Sequence, residues 1–268
     1  MHQLKKWMSI VLFSLFTSST IANTFISEMT DLWWNANESG WGVTITHQGE
    51  IAFLTFFVYG ADNKPVWYTG QATYTTTNSQ GQAVFSGPVY QTSGPWLGGV
   101  FFNPNSVGVR QVGTLTLTAY VSSATLLYII DGVPVVKSIT RQTFRNNNMT
   151  GKYWGATYYQ ASGCVPTSLN QGYVQPNTDF TITHTSTSLS IRTSDPFTGT
   201  CTYTGDYLQT GRMGQSLGSF TCSSGSSGTY TMFEIEAGRT GMSGRINARN
   251  ANCSSLVGRF AALKDAPP

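Results

Sequence analysis

The chain has 268 residues, a formal charge of +3 and only 10% charged residues, where ordinary soluble domains carry roughly 25%. That balance gives no electrostatic footing on nucleic acid or on an anionic membrane surface. The surface must be covered by Thr, Ser, Asn and Gln, and a composition with 28 glycines, 13 tyrosines and 15 phenylalanines suits strands and turns rather than helices.

The chain opens on Lys5-Lys6, an apolar run from Trp7 to Phe16 and the small-residue site Thr20-Ile21-Ala22. This is the layout of a secretory signal, too short to span a bilayer, with cleavage expected after Ala22. No cysteine follows that site, so no lipid anchor is expected. Loss of residues 1–22 removes two lysines and no acid, leaving 246 residues and a charge of +1. No later apolar run reaches membrane length, so the mature chain is expected to have no transmembrane segment and to be periplasmic or secreted.

Residues 23–30 read as a lead-in, and Trp33 to Gly42 has turn chemistry at Asn35, Asn37, Ser39 and Gly40. Val43 to His47 alternates Val and Ile against Thr, a period of two, and Gln48-Gly49 is a tight turn. Ile51 to Tyr59 is apolar on both faces, with Phe53, Phe57 and Tyr59 on one and Leu54, Phe56 and Val58 on the other. It is therefore expected to be covered on both sides. After a loop at Gly60 to Pro65, strands are expected at Val66 to Thr75 and Ala83 to Tyr90, where Pro88 demands an edge or a bulge. Gly94 to Gly108 is a Gly-, Pro- and Asn-rich loop carrying Trp96, Phe101 and Phe102. Gly113 to Ala119 alternates leucines inward with threonines outward, and Leu126 to Ile130, Asp131-Gly132 and Val135 to Phe144 form a hairpin.

Arg145-Asn146-Asn147-Asn148 is the best boundary, dividing a domain at 23–146 from one at 150–264. The second half starts afresh at Gly151-Lys152-Tyr153-Trp154-Gly155. Strands are expected at Phe180 to His184, Leu189 to Arg192, Thr200 to Leu208, Ser219 to Cys222, Thr229 to Ala237, Met242 to Ala248 and Leu256 to Leu263. The tail Asp265 to Pro268 should fray. Short antiparallel strands at this spacing, without helical periods, predict an all-β chain of two up-and-down barrels in tandem. One continuous sandwich is the alternative.

All four cysteines lie in the second half. An even count in an exported chain predicts two disulfides. Metal is not expected, since no two cysteines are two to four residues apart and only His47 and His184 remain past residue 22. Cys201 and Cys222 are equidistant from a turn at Gly211-Arg212, so a hairpin sets them opposite each other. That leaves Cys164 with Cys253, across the seam where the first and last strands of a closed barrel meet. On chain entropy the two closures are worth about 3 and about 4.5 kcal/mol.

The residues Trp34, Asn35, Glu38-Ser39-Gly40-Trp41-Gly42, His47-Gln48-Gly49, Phe53, Phe57-Val58-Tyr59 and Pro65-Val66-Trp67-Tyr68 form a spaced pattern. It resembles a family of exported proteobacterial β-proteins with no assigned activity. The resemblance covers about residues 31–70, and it implies export and a bacterial origin but no mechanism. In strand count, and in starts such as Gly151 to Gly155, both halves also resemble avidin- and lipocalin-type (calycin-like) barrels; fold does not bring function with it.

Trp33, Trp34, Trp41, Trp67 and Tyr68, with Glu38 and His47 as polar neighbours, are the candidate ligand-binding residues, suited to stacking on a glycan or a small apolar ligand. The competing role for the same tryptophans is to plug a small barrel. His47 and His184 end strands with no acid beside them in sequence, which fits hydrogen-bonded rim histidines. Glu234 and Glu236 are two apart on a strand and are expected to face outward together, about 7 Å apart, with Phe233 and Ile235 inward. No nucleophile elbow or phosphate loop is present, and no catalytic residue or cofactor is assigned. The leading expectation is an exported, non-enzymatic binding or interaction module. The alternatives are a hydrolase of cell-wall or extracellular polysaccharide, or a protein-partner module whose aromatics are core or interface.

Overall fold

The structure is a computed structural model that describes residues 28–99, 101–195 and 199–265. The expected leader and cleavage site, and the tail beyond Asp265, lie outside the described residues. Sixteen strands form two closed antiparallel barrels of eight, each in simple up-and-down order. The first contains β1 (Asp31–Trp34), β2 (Gly42–Gln48), β3 (Ile51–Tyr59), β4 (Pro65–Thr77), β5 (Ala83–Ser93), β6 (Gly108–Ala119), β7 (Ser123–Ile130) and β8 (Val133–Arg141). The second contains β9 (Gly151–Cys164), β10 (Gly172–His184), β11 (Ser188–Asp195), β12 (Gly199–Thr210), β13 (Met213–Cys222), β14 (Ser227–Ala237), β15 (Gly241–Asn250) and β16 (Cys253–Lys264). The chain is all-β, as its period-two patterning implies, and its described residues contain no α-helix.

β1 was not expected as a strand. Only four residues long, it precedes an Asn-rich turn, yet it closes the first barrel by pairing Trp33 with Val43 on one side and with Arg141 on the other. β8 stops at Arg141, short of the expected Phe144. Pro88 sits inside β5 of a closed barrel, which has no edge, and the register shifts between Val89 and Tyr90. The bulge accommodates its missing N–H.

Inward positions fill both lumens. In the first barrel Val43, Ile45, Leu54, Phe56, Phe85, Leu115, Leu117, Leu126 and Ile139 pack around Trp33, each large side chain contributing about 2 kcal/mol on burial. The second lumen substitutes tyrosine and methionine: Tyr153, Tyr203, Tyr207, Tyr230, Met232 and Met242 surround Phe180, Phe220 and Ile235. Its four cysteines pair Cys201 with Cys222 across β12 and β13, and Cys164 with Cys253 across the β9–β16 seam.

The outward half of β3 is a correction. Phe53, Phe57 and Tyr59 are exposed, covered neither by the second barrel nor by another described segment. Glu234 also departs from expectation. It occupies a bulge at φ +52°, which breaks the alternation: Ile235 points inward as expected, but Phe233 is half-buried on the outer side under the Arg245 guanidinium, 4.8 Å from the ring centroid. The Glu234 side chain is buried while Glu236 is exposed, so the two do not form an outward pair.

The barrels meet through the lower end of the first and the β12–β13 turn of the second. The Arg212 backbone N–H donates to Asp31 Oδ2 at 3.2 Å, and its Nε donates to the Thr30 carbonyl at 3.1 Å. Arg141, fully buried, donates to the carbonyls of Val121, Thr30 and Glu28, and to Asp31 Oδ2 at 3.3 Å. This arginine holds the lead-in segment across the barrel mouth.

Candidate functional site

The seven proposed contact residues do not line one concavity. Trp33, at 0% exposure, is a core plug: its Nε1 donates to the Met29 carbonyl at 2.9 Å, and the Arg141 guanidinium lies 4.6 Å from its ring. Its neighbour Trp34 points the other way, as strand alternation requires, into a shallow outer cleft with Asn35, Asn37 and Tyr120. His47 is buried against the Phe85 ring, centroids 5.4 Å apart, and its Nδ1 accepts from the Met29 N–H at 3.3 Å. The same Nδ1 lies 3.5 Å from Glu28 Oε1. Tyr68 is half-buried and packs on the first core. Trp33, His47 and Tyr68 therefore serve packing.

Glu38, Trp41 and Trp67 reach the opposite end, remote from the second barrel. Up-and-down order places there the turns 35–41, 60–64, 94–107 and 131–132. Glu38 Oε2 accepts from Trp41 Nε1 at 3.1 Å and from Lys137 Nζ at 2.6 Å, with the ammonium 5.6 Å from the Trp41 ring. The Lys137 bond holds the Glu38 carboxyl below its usual range. Trp67 is paired with Phe57 on the outer wall and is 51% exposed. Gly42 makes this wall possible: a Cβ there would fall 2.5 Å from the Phe57 ring, which instead lies flat over the β2 backbone.

The long β5–β6 loop supplies the rest of this end. Trp96 is 80% and Phe101 88% exposed, and Leu97, Phe102 and the strand-end residues Tyr59, Val109 and Val133 of the same end are exposed too. The loop was readable as a loop; nothing in its sequence marked its aromatics as outward-facing. Among the described residues, the six charged side chains of this end close into three pairs: Lys137–Glu38, Arg110–Asp131 at 2.5 Å, and Lys64–Asp62 at 3.6 Å. Arg110 Nη2 also donates to Gln91, and its carboxylate partner is held below the ordinary aspartate range by that guanidinium. The result is an end that combines exposed aromatics with uncharged polar turn residues and has its charges paired. The lower end of the same barrel, by contrast, is turned by Gly49-Glu50, Asn78-Ser79-Gln80-Gly81-Gln82 and Tyr120-Val121-Ser122.

Three carboxylates, Glu28, Glu234 and Glu236, converge on one surface cavity of the second barrel, each beside an arginine. Glu236 bonds to Arg212, and Glu234 lies 3.6 Å from Arg245. His184 stands edge-on to Tyr207, centroids 4.4 Å apart, and burial pushes its pKa down.

No family model and no curated protein matches this sequence. Among solved structures, the chain is similar to a "putative outer membrane protein" of Bacteroides fragilis, 13% identical over 89% of this chain and 96% of that one, with a TM-score of 0.34. A likeness at that level carries no conclusion about fold or function.

Proposed function

We propose that the chain is an exported, non-enzymatic binding or interaction protein that engages its ligand or partner through the uncharged aromatic end of its first barrel. The observation that carries this reading is the gathering of Tyr59, Trp67, Trp96, Leu97, Phe101 and Phe102 at one end, with every neighbouring charge closed into a pair. Exposed apolar side chains scattered singly mean little, but several large ones on the turns and strand ends of one barrel end favour an interaction surface. Two disulfides support an oxidising compartment. The leader pattern at residues 1–22 and the resemblance to exported proteobacterial proteins support the same location. The contact set is thereby revised: Trp67, Glu38 and Trp41 stay, Trp33, His47 and Tyr68 become packing residues, Trp34 is set apart on its own outer cleft, and the loop aromatics join.

Tryptophan fluorescence of the mature, oxidised protein tests this against soluble glycans, peptidoglycan fragments and lipid vesicles. A saturable shift is expected from one class. A Trp67→Ala/Trp96→Ala/Phe101→Ala variant should lose binding, followed by calorimetry, while unfolding at the wild-type temperature. Binding that survives the triple substitution would place the site elsewhere. Concentration-dependent self-association abolished by the same triple would instead make this end a contact between copies.

A further inference from the structure

We infer that the second barrel carries a separate binding groove for a short, uncharged oligosaccharide, running across the outer face of β10, β9, β16, β15 and β14. Strand register builds it. One transverse row of outward residues is Trp154 on β9, Leu263 on β16 and Gly241 on β15. The next is Ala156, Ala261 and Ser243, continuing to Glu236 on β14. The third is Tyr158, Arg259 and Arg245. The small side chains Ala156, Ala261 and Ser243, between Trp154 and Leu263 on one side and Tyr158, Arg259 and Arg245 on the other, form a trough with walls. The β10 bulge closes one end, where Pro176 and Asn177 are the extra residues opposite Ala156 and Asn177 adopts φ +58°. Glu236 marks the other end. Four inter-strand steps give a length of roughly 19 Å, room for a chain of sugars rather than one ring. The cavities along the two walls, about 640 Å³ and about 430 Å³, share Ala156, Ala261, Ser243 and Glu236 and so form one groove.

The lining selects the ligand. Sugar rings present apolar C–H faces, which Trp154 and Tyr158 offer aromatic surface to meet, both being exposed. Sugar hydroxyls need donors and acceptors in fixed positions, and Arg245 is held by the Phe233 ring and by Glu234 at 3.6 Å. The carboxylates Glu28, Glu234 and Glu236 are matched in number by Arg212, Arg245 and Arg259, which removes any preference for a charged ligand. An extended peptide is disfavoured because it would need a free strand edge, and a closed barrel has none. An independent observation points to an occupant. Glu234 lines the groove at 8% exposure, and its Oε1 is buried without a hydrogen-bond partner. Its Oε2 pairs with Arg245, buried acceptors are ordinarily satisfied, and a ligand hydroxyl would donate to Oε1 once the side chain turns toward the groove.

Calorimetric titration of the mature protein with cellohexaose, chitohexaose, xylohexaose and maltohexaose tests the inference. At least one should bind saturably. Trp154→Ala, and Ala261→Arg, which fills the exposed floor, should each weaken it about tenfold or more with unchanged thermal unfolding. Glu234→Gln should weaken it several-fold. The Trp67→Ala/Trp96→Ala/Phe101→Ala variant should bind the same sugar normally, which separates this site from the one on the first barrel. Absence of binding by all four sugars, or binding that Ala261→Arg leaves intact, would overturn the groove assignment.

Discussion

The two barrels share one topology and solve its packing problem differently. The first fills its lumen with Leu, Ile, Val and Phe around Trp33, contains no cysteine, and can leave large aromatics outside. The second lines its lumen with tyrosines, most of whose hydroxyls are bonded internally: Tyr159 with Tyr203 at 3.2 Å, Tyr230 with Ser216 at 3.1 Å, and Tyr153 with the Met149 carbonyl at 3.0 Å, whereas the buried Tyr207 hydroxyl has no hydrogen-bond partner among the described residues. Tyrosine burial brings apolar area together with a desolvation cost for the hydroxyl. Two disulfides in the second barrel constrain its unfolded chain. An eight-stranded barrel can thus rest on an aliphatic core, or on a polar-aromatic core with covalent closure.

Four perturbations sharpen that contrast. Replacing Cys164 and Cys253 by Ser should cost about 4.5 kcal/mol, and Cys201 with Cys222 about 3 kcal/mol. Hydrogen exchange should show the loss in β9–β16 while the first barrel keeps its protection. Next, Trp33→Ala should cost about 4 kcal/mol as a cavity in the aliphatic core, whereas Trp67→Ala, on the open wall, should cost under about 1 kcal/mol by chemical denaturation. Arg141→Met should cost about 3 kcal/mol, because it leaves the nearly buried Asp31 without its cation. Its effect should appear as proteolytic sensitivity of residues 28–31.

The smallest effect is in alkali. Burial raises the pKa of Tyr159, Tyr203, Tyr207, Tyr230 and Tyr153 in the second barrel, Tyr159 well above the ordinary value, and of Tyr128 in the first. The unfolded chain loses these protons near pH 10 and the folded chain resists doing so. The stabilisation is complete below about pH 10 and is lost as pH climbs through the raised values. Unfolding followed between pH 9 and 11 should therefore show the second barrel weakening first.

Much of this fold was legible because strands announce themselves locally. Val43 to His47 and Gly113 to Ala119 alternate cleanly, and the equal spacing of Cys201 and Cys222 about Gly211-Arg212 fixes a hairpin register that the disulfide obeys. β1 was missed because four residues carry too little period beside an Asn-rich turn. The Glu234 bulge was missed because positive φ on a glutamate has no sequence signal. Adjacent residues of a strand face opposite ways, so Trp33 and Trp34 cannot both face in, and which ring does so depends on closure with β8. The groove on the second barrel was invisible for a related reason. Ala156, Ala261 and Ser243 come from three strands, and only register makes them neighbours.

The most direct test of the central claim is hydroxyl-radical footprinting of the mature protein, alone and with the ligand that shifts its fluorescence. Trp67, Trp96 and Phe101 should be modified readily in the free protein while Trp33 is not, and the ligand should protect those three but leave Tyr120 at the lower end reactive. Unchanged reactivity at Trp67, Trp96 and Phe101 in the bound state would contradict that claim.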